Sequence, residues 1–394
     1  MQRTDRSRHL ARRTFLRAED CDLTDFAALC GQITDLADYP LAADLAKGVL
    51  IYDCTTLVRR IGDPAFCEEL MAEWAEALAN GPGVIVLQGA EPDLAMIDRA
   101  SDLFRALIDQ QNRAGTGGGD HFAKPGANDR LWNSLEKHCL ADPANFARYY
   151  ANPFLALVSR AWLGPYYQMT AQLNVVNPGG AAQSPHRDYH LGFQSAEAVA
   201  HYPRHVHLMS PMLTLQGAIA HVDAPLKAGP TLLLPHSQKY PAGYLATSRA
   251  DFREFFNAHA VQLPLRKGDM LFFSPALFHA AGTNRSTDIK RMVNLFQVSS
   301  AYGRAMESID RTAMAKALYP ALLAAEDLTP TQTANAIAAT AEGYSFPTNL
   351  DRDPPIGGLA PKSQAALLHE ALADCWDQDK LNAALDAQAA KRSP

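Results

Sequence analysis

The chain has 394 residues, 47% of them hydrophobic, and a formal net charge of −6. That is enough to bury a large core, as one domain with extensions or as two. Mixed charge signs without a long basic run argue against a nucleic-acid partner, and no stretch approaches the roughly 18 uninterrupted apolar residues of a membrane span.

The six cysteines (Cys21, Cys30, Cys54, Cys67, Cys139 and Cys375) show no C-x-x-C pairing, so the expectation is a reduced, cytoplasmic protein without a disulfide framework or zinc ribbon. Ala11–Arg17 looks like a twin-arginine export motif. Export needs an apolar region directly after it, and Glu19, Asp20 and Asp22 stand there instead, so a basic, exposed start is expected.

Helical spacing after an Asp/Thr start predicts a helix over residues 22–35. Asp63-Pro64 opens a second, with Phe66, Leu70, Met71, Trp74 and Leu78 as its apolar stripe and Asn80-Gly-Pro-Gly as its stop. Val84–Gln88 reads as a strand. Glu91-Pro92 opens a long helix that ends near Ala114. Residues 119–133, with His121, Lys124, Arg130 and Trp132, form a polar loop between glycines, either a plain surface loop or a pocket wall. Residues 143–163 read as one helix.

From about 168 to 300 short apolar runs alternate with Pro, Gly, Asn and Ser clusters: 212–220, 231–235, 260–265, 269–273 and 291–298. Several short strands with turn signals between them predict a sandwich or jelly roll. Beyond Gly303 the chain is helical again, with a Pro/Gly-rich interruption over 346–358 and an Ala-rich tail that reads as packing or a homo-oligomer contact. The expected division is an N-terminal extension over 1–60, a jelly-roll domain with flanking helices over 61–302, and a helical extension over 303–394 packed on the core. The fold class is therefore α+β.

Chemistry concentrates in Gln172–Phe193, read as a strand, a Pro178-Gly179-Gly180 turn and a second strand. Alternation on a strand projects His186 and Asp188 together and Arg187 away. An imidazole and a carboxylate on one face are part of the 2-His-1-carboxylate facial triad that holds non-heme Fe(II). The motif alone is weak, because with 13 His and 42 acidic residues chance supplies about 1.4 His-x-acid triplets. A second, His221-Val-Asp223, competes. The run Lys267-Gly-Asp-Met-Leu-Phe-Phe ends at His279, a candidate third ligand. Arg291 shares a strand face with Val293 and Leu295 and is expected to point inward, where a guanidinium needs an anion. A substrate carboxylate would meet that need. Arg285 lies in a polar loop.

His186-x-Asp188 after a Pro-Gly turn, Ala228-Gly-Pro-Thr-Leu-Leu-Leu-Pro-His-Ser-Gln238, and Lys267-Gly-Asp…His279…Asn284-Arg…Arg291 occur in the order that resembles the phytanoyl-CoA dioxygenase family of Fe(II)/2-oxoglutarate oxygenases. The resemblance covers roughly residues 80–300. It implies a double-stranded β-helix, iron on His186, Asp188 and His279, 2-oxoglutarate clamped by Arg291, and O₂-dependent oxidation of a small organic substrate with release of succinate and CO₂. It also places His221-Val-Asp223 on a core strand. Retaining Asp188 speaks for hydroxylation rather than halogenation.

This chain departs from the family at Pro235-His236-Ser237-Gln238, where Pro-Gly-Ser-His is usual, and at Ser184-Pro185, where an aromatic is frequent. Lys290 rivals Arg291 for the clamp if the spacing is one residue shorter. Gln172 and Asn174 are candidates to hydrogen-bond 2-oxoglutarate or substrate, or are polar residues of the sheet face. His190, His201, His205, His207 and His236 read as pocket wall or surface, with a second metal site left open. Two rival readings also remain: a metal-dependent jelly-roll isomerase or hydrolase without 2-oxoglutarate, and a catalytically silent binding module.

Overall fold

The structure is a computed structural model that describes residues 3–115 and 126–393. His121 and Lys124 of the polar loop lie outside the described residues, while Asn128–Leu131 of the same segment forms a strand. The strands in chain order are β1 (Asp44–Ala46), β2 (Val49–Asp53), β3 (Val84–Gln88), β4 (Asn128–Leu131), β5 (Gln168–Val176), β6 (Thr214–Ala220), β7 (Leu232–Leu233), β8 (Met270–Phe273), β9 (His279–Ala280) and β10 (Arg291–Ser299). Eight form a mixed, mainly antiparallel sheet in the order β1-β2-β3-β8-β6-β10-β5-β4, and β7 pairs with β9 in a separate two-stranded sheet. The α+β class holds.

The chain divides into two compact units. The first is Met1–Ala90, Gly118–Arg130 and Asn174–Leu295. Its apolar filling joins Val84, Val86, Ala220, Leu271 and Phe273 from the large sheet with Leu233 from the small one and Leu277 beside it. A second cluster packs Phe26 among the rings of Tyr240, Phe252, Phe255 and Phe278, at 4.9–5.6 Å between centroids. Several sequence expectations change here. The helix expected over 22–35 is Leu23–Cys30, capped by Asp22 Oδ1 on the Thr24 and Asp25 amides and closed at Gly31. The helix Pro64–Ala79 follows the Asp63 cap as expected, with Phe66, Leu70, Trp74 and Leu78 buried and Met71 only half-buried. The hairpin β1–β2, whose turn residues Lys47 and Gly48 both have positive φ, was not foreseen.

The region expected to hold only strands also carries helices, the longest Ala250–His259, whose buried Phe252 and Phe256 fall at i and i+4. Residues 260–265 make single bridges rather than a strand, and Pro264 supplies no amide to a ladder there. Met212 and Leu213 close a 3₁₀ turn after Pro211, so β6 starts at Thr214.

The second unit is Glu91–Gly117, Leu131–Leu173 and Phe296–Pro394, predominantly helical. The single helix read over 143–163 is two, Pro143–Tyr150 and Pro153–Leu163. Proline at 153 disfavours helical backbone at Asn152, which turns to φ −53°, ψ 122° and caps the second helix through Oδ1 on the Phe154 and Leu155 amides. Asn152 also donates to Glu91 Oε2 at 3.0 Å, and burial pushes the Glu91 carboxyl up. Asn152→Ala removes the cap and this donor together, so we expect a loss of about 2–4 kcal/mol in chemical denaturation. Because the folded state already disfavours ionised Glu91, stability falls as pH rises through its raised pKa. Loss of a donor to the carboxylate deepens that fall, so the variant's deficit should be larger at about pH 8 than near pH 5.

His138 is fully buried in this unit among Phe104, Phe146 and Tyr149, with Nε2 2.8 Å from Asn145 Oδ1. Burial lowers its pKa to about 4, so it is a neutral core histidine. Among the described residues no helix is long and apolar enough to cross a membrane.

Candidate metal centre

All of the residues in this centre belong to the first unit. The segment with His186 and Asp188 was expected as a full strand and is not one. It is an irregular run zipped antiparallel to 275–281 by backbone bonds: Gln183 N to Ala281 O, His186 N to His279 O, His279 N to His186 O, and Asp188 N to Pro275 O, each 3.0–3.2 Å. Alternation survives because the backbone stays extended around the His186–His279 bridge. His186 and Asp188 face one side and Arg187 the other.

Candidate ligand atoms of His186, Asp188 and His279 all lie within 4.8 Å of one another. Asp188 Oδ1 is 3.6 Å from His186 Nε2, and Asp188 Oδ2 is 3.2 Å from His279 Nε2. Each imidazole has its Nδ1 against a backbone carbonyl, Ser184 O at 2.8 Å for His186 and Leu277 O at 2.9 Å for His279. A carbonyl only accepts, so Nδ1 carries the proton in each ring and Nε2 turns a lone pair toward the carboxylate. Two nitrogen lone pairs and a carboxylate converging without a shared proton make a cation site, and this donor set suits ferrous iron. Burial works to raise the Asp188 carboxyl, but the charge that His186 carries when protonated, a hydrogen bond and charge from His279, and the Gln216 amide hold it well below the usual carboxylate range. With both Nε2 atoms deprotonated, that favourable charge has to come from a bound cation.

Gln216, in the mostly apolar run of β6, donates from Nε2 to Asp188 Oδ2. The sequence reading missed it. A lone amide among Leu215, Ala218 and Ile219 was the available signal, but only the fold sets it beside Asp188. We expect Gln216→Leu to weaken metal binding about 10–100-fold by freeing the carboxylate to rotate, measurable by Co(II) titration.

His221 is buried while Asp223 is exposed and accepts from the Lys267 amide at 2.9 Å, so the rival triplet does not converge. His236 is held between Thr34 Oγ1 at 3.1 Å and Lys239 Nζ at 3.0 Å. Among the described residues, His186, Asp188 and His279 are the group whose ligand atoms converge.

Arg291 opens β10 and is 4% exposed, while Lys290 and Arg285 are exposed. Its Nε and Nη1 are buried without a hydrogen-bond partner, and burial lowers its pKa to about 10. Val293 and Leu295, on the same strand face, are half-buried. Asn174 is 7% exposed with a partnerless Oδ1. In the second unit, the Gln172 amide is engaged by Gln297, with Nε2 to Oε1 at 2.9 Å.

A profile described as Phytanoyl-CoA dioxygenase (PhyH) matches residues 59–292, more than half of the chain. The chain belongs to the phytanoyl-CoA dioxygenase family. Within the matched region, His186, Asp188 and His279 are the candidate facial triad. The chain is 30% identical over 141 residues to the iron/alpha-ketoglutarate-dependent dioxygenase ausU of Aspergillus calidoustus. That match covers 35% of this chain and 41% of ausU, so it spans less than half of the relative. Among solved structures it is similar to the alpha-ketoglutarate-dependent epimerase SnoN from nogalamycin biosynthesis, with 19% identity, 61% of this chain, 82% of that chain and a TM-score of 0.40. The carbocyclase SnoK from the same biosynthesis gives 17%, 60%, 86% and 0.41.

Proposed function

We propose that iron binds His186, Asp188 and His279, that Arg291 holds the 2-oxoglutarate carboxylate, and that the enzyme hydroxylates a C–H bond of a small organic molecule. The observation that carries this reading is the buried Arg291 guanidinium, whose Nε and Nη1 have no hydrogen-bond partner among the described residues. Keeping such a charge out of water costs several kcal/mol unless an anion arrives to meet it, and a dicarboxylate co-substrate is that anion.

Bound at this centre, iron would supply activation of O₂, the oxidant, with 2-oxoglutarate as the two-electron reductant that leaves as succinate and CO₂, one oxygen atom going to succinate and the other to the substrate C–H. The chain's own residues bind and orient. Arg291 offers a planar fork to a carboxylate, and the carbonyl-held imidazoles keep their Nε2 lone pairs aimed at one point. Asn174, whose buried Oδ1 lacks a donor, suits a hydroxyl or N–H group of the substrate rather than the acceptor-only 2-oxoglutarate, and the Gln172 amide is already engaged by Gln297. We also read the large sheet and the β7–β9 pair as the two faces of a jelly roll, supported by the apolar cluster that joins them.

The test is succinate formation by anaerobically reconstituted Fe(II) protein given 2-oxoglutarate and then air, beside a His186→Ala control. Succinate from the wild type alone is expected, even without the prime substrate. No succinate, together with no binding of 2-oxoglutarate to the Fe(II) form, would sink the proposal and favour a silent binding module. Binding of the metal without 2-oxoglutarate would favour an isomerase or hydrolase.

A further inference from the structure

We propose that Arg187 and Ser237 form a positioning hub that fixes the spacing of the three ligands from behind, without touching metal or substrate. The proposal rests on the ligand assignment above. Arg187 lies between His186 and Asp188 but points the opposite way and is 3% exposed. Its Nη2 donates to Ser237 O at 2.7 Å and Tyr240 O at 3.0 Å. Its guanidinium carbon sits 5.1 Å from the Tyr244 ring centroid and 5.2 Å from that of Phe278. Among the described residues, carbonyl dipoles and ring faces rather than a carboxylate meet this charge.

Ser237 is fully buried and ties the other ligand segment to the same point. Its hydroxyl accepts from the Phe278 amide at 2.8 Å and donates to Leu234 O at 2.6 Å. Phe278 directly precedes His279. One residue therefore holds both segments, by its carbonyl through Arg187 to His186 and Asp188, and by its hydroxyl through Phe278 to His279. Alternation puts the hub on one side of the two segments and the ligands on the other.

Gly243 shows that the space is built for the guanidinium. A Cβ there would lie 1.9 Å from Arg187 Cζ and 2.1–2.3 Å from its terminal nitrogens, so any side chain at 243 displaces the arginine. If Arg187 only filled the core, a methionine of similar volume would serve as well or better, because a buried charge is costly. A planar, multi-donor fork fixes the chain relative to two carbonyls, which an apolar side chain cannot do.

Co(II) is the probe, titrated by absorption and calorimetry into wild type, Arg187→Met, Arg187→Lys, Ser237→Ala and Gly243→Ala, with circular dichroism to establish folding. Folded Arg187→Met and Ser237→Ala should bind Co(II) about 10–100-fold more weakly, the range typical when residues supporting metal ligands are lost. Their ligand-field spectra should change, and Arg187→Lys should recover part of the affinity. Gly243→Ala should reproduce the loss alone and add nothing in the Arg187→Met background, because both act through one group. Should Arg187→Met not fold, Ser237→Ala and Gly243→Ala carry the test. Folded variants with wild-type Co(II) affinity and spectrum would overturn the hub while leaving the ligand assignment intact. A wild type that binds neither Co(II) nor Fe(II) would instead overturn the assignment on which the hub rests.

Discussion

Arg291→Met should make the protein more stable and unable to hold 2-oxoglutarate. The wild-type guanidinium is buried, lacks an acid partner among the described residues, and has its pKa lowered to about 10 by desolvation. Replacing buried charge with an apolar side chain of similar volume is often stabilising by about 1–4 kcal/mol, so the denaturation midpoint of the unliganded variant should rise. Binding should move the other way. Removing one partner of a desolvated charge pair costs about 2–5 kcal/mol, roughly 30- to 4,000-fold in 2-oxoglutarate affinity. Calorimetric titration of the anaerobic Fe(II) form reads the second effect, and denaturation with and without 2-oxoglutarate reads both. Wild type should gain stability from 2-oxoglutarate and the variant should gain none, while metal affinity stays unchanged. A variant that binds 2-oxoglutarate as wild type does would exclude Arg291 as the clamp. Lys290→Met, at an exposed position, is the control and should change neither quantity.

Opposite signs for stability and binding separate a functional arginine from a structural one. Arg311 provides the contrast. It is also buried, and burial likewise lowers its pKa to about 10, yet it donates to the carbonyls of Ala339, Thr340 and Met169. Truncating Arg311 would leave those carbonyls unsatisfied and should destabilise the protein.

The centre was legible in the sequence where its logic is local. His186 and Asp188 face one way because i and i+2 do so on any extended backbone, so the pairing survives although the expected strand is absent. His279 could be found because an apolar run stops there, and strand parity puts Arg291 inside and Lys290 outside. What could not be read depends on contacts between distant segments. Gln216 and Asp188 meet through sheet pairing, and Ser237 reaches Arg187 and Phe278 only once the 235–238 turn folds beneath them. Even the departure at His236, which puts a histidine at φ +67° where the family usually has glycine, gave no hint that the next residue joins two ligand segments. Elsewhere the misses have local causes. Pro153 marked the break in the helix read over 143–163, and Phe252 and Phe256 marked a helix inside a region read for strands.

Asp188→Asn should abolish tight metal binding while keeping the shape of the site. The wild-type centre gathers two imidazole lone pairs and a carboxylate because both Nδ1 atoms are committed to the carbonyls of Ser184 and Leu277. Asparagine removes the negative charge, and its NH₂ group can donate to His279 Nε2 and close the site on itself. Loss of a charged ligand from a three-residue site should cost at least about 100-fold in affinity for Fe(II) or Co(II), more than the roughly 10–100-fold assigned to supporting partners such as Gln216. Linkage gives a second readout. At a free-metal concentration about 100 times Kd, wild type should gain about 2.7 kcal/mol of stability, lost again on adding a chelator, and the variant should gain none. His279→Ala should match Asp188→Asn in both respects. His221→Ala, at the triplet that does not converge, should leave metal affinity unchanged. If His221→Ala lost the metal and Asp188→Asn kept it, the centre would have to be moved, and with it the roles of Gln216, Arg187 and Ser237, all of which are defined by where Asp188 points.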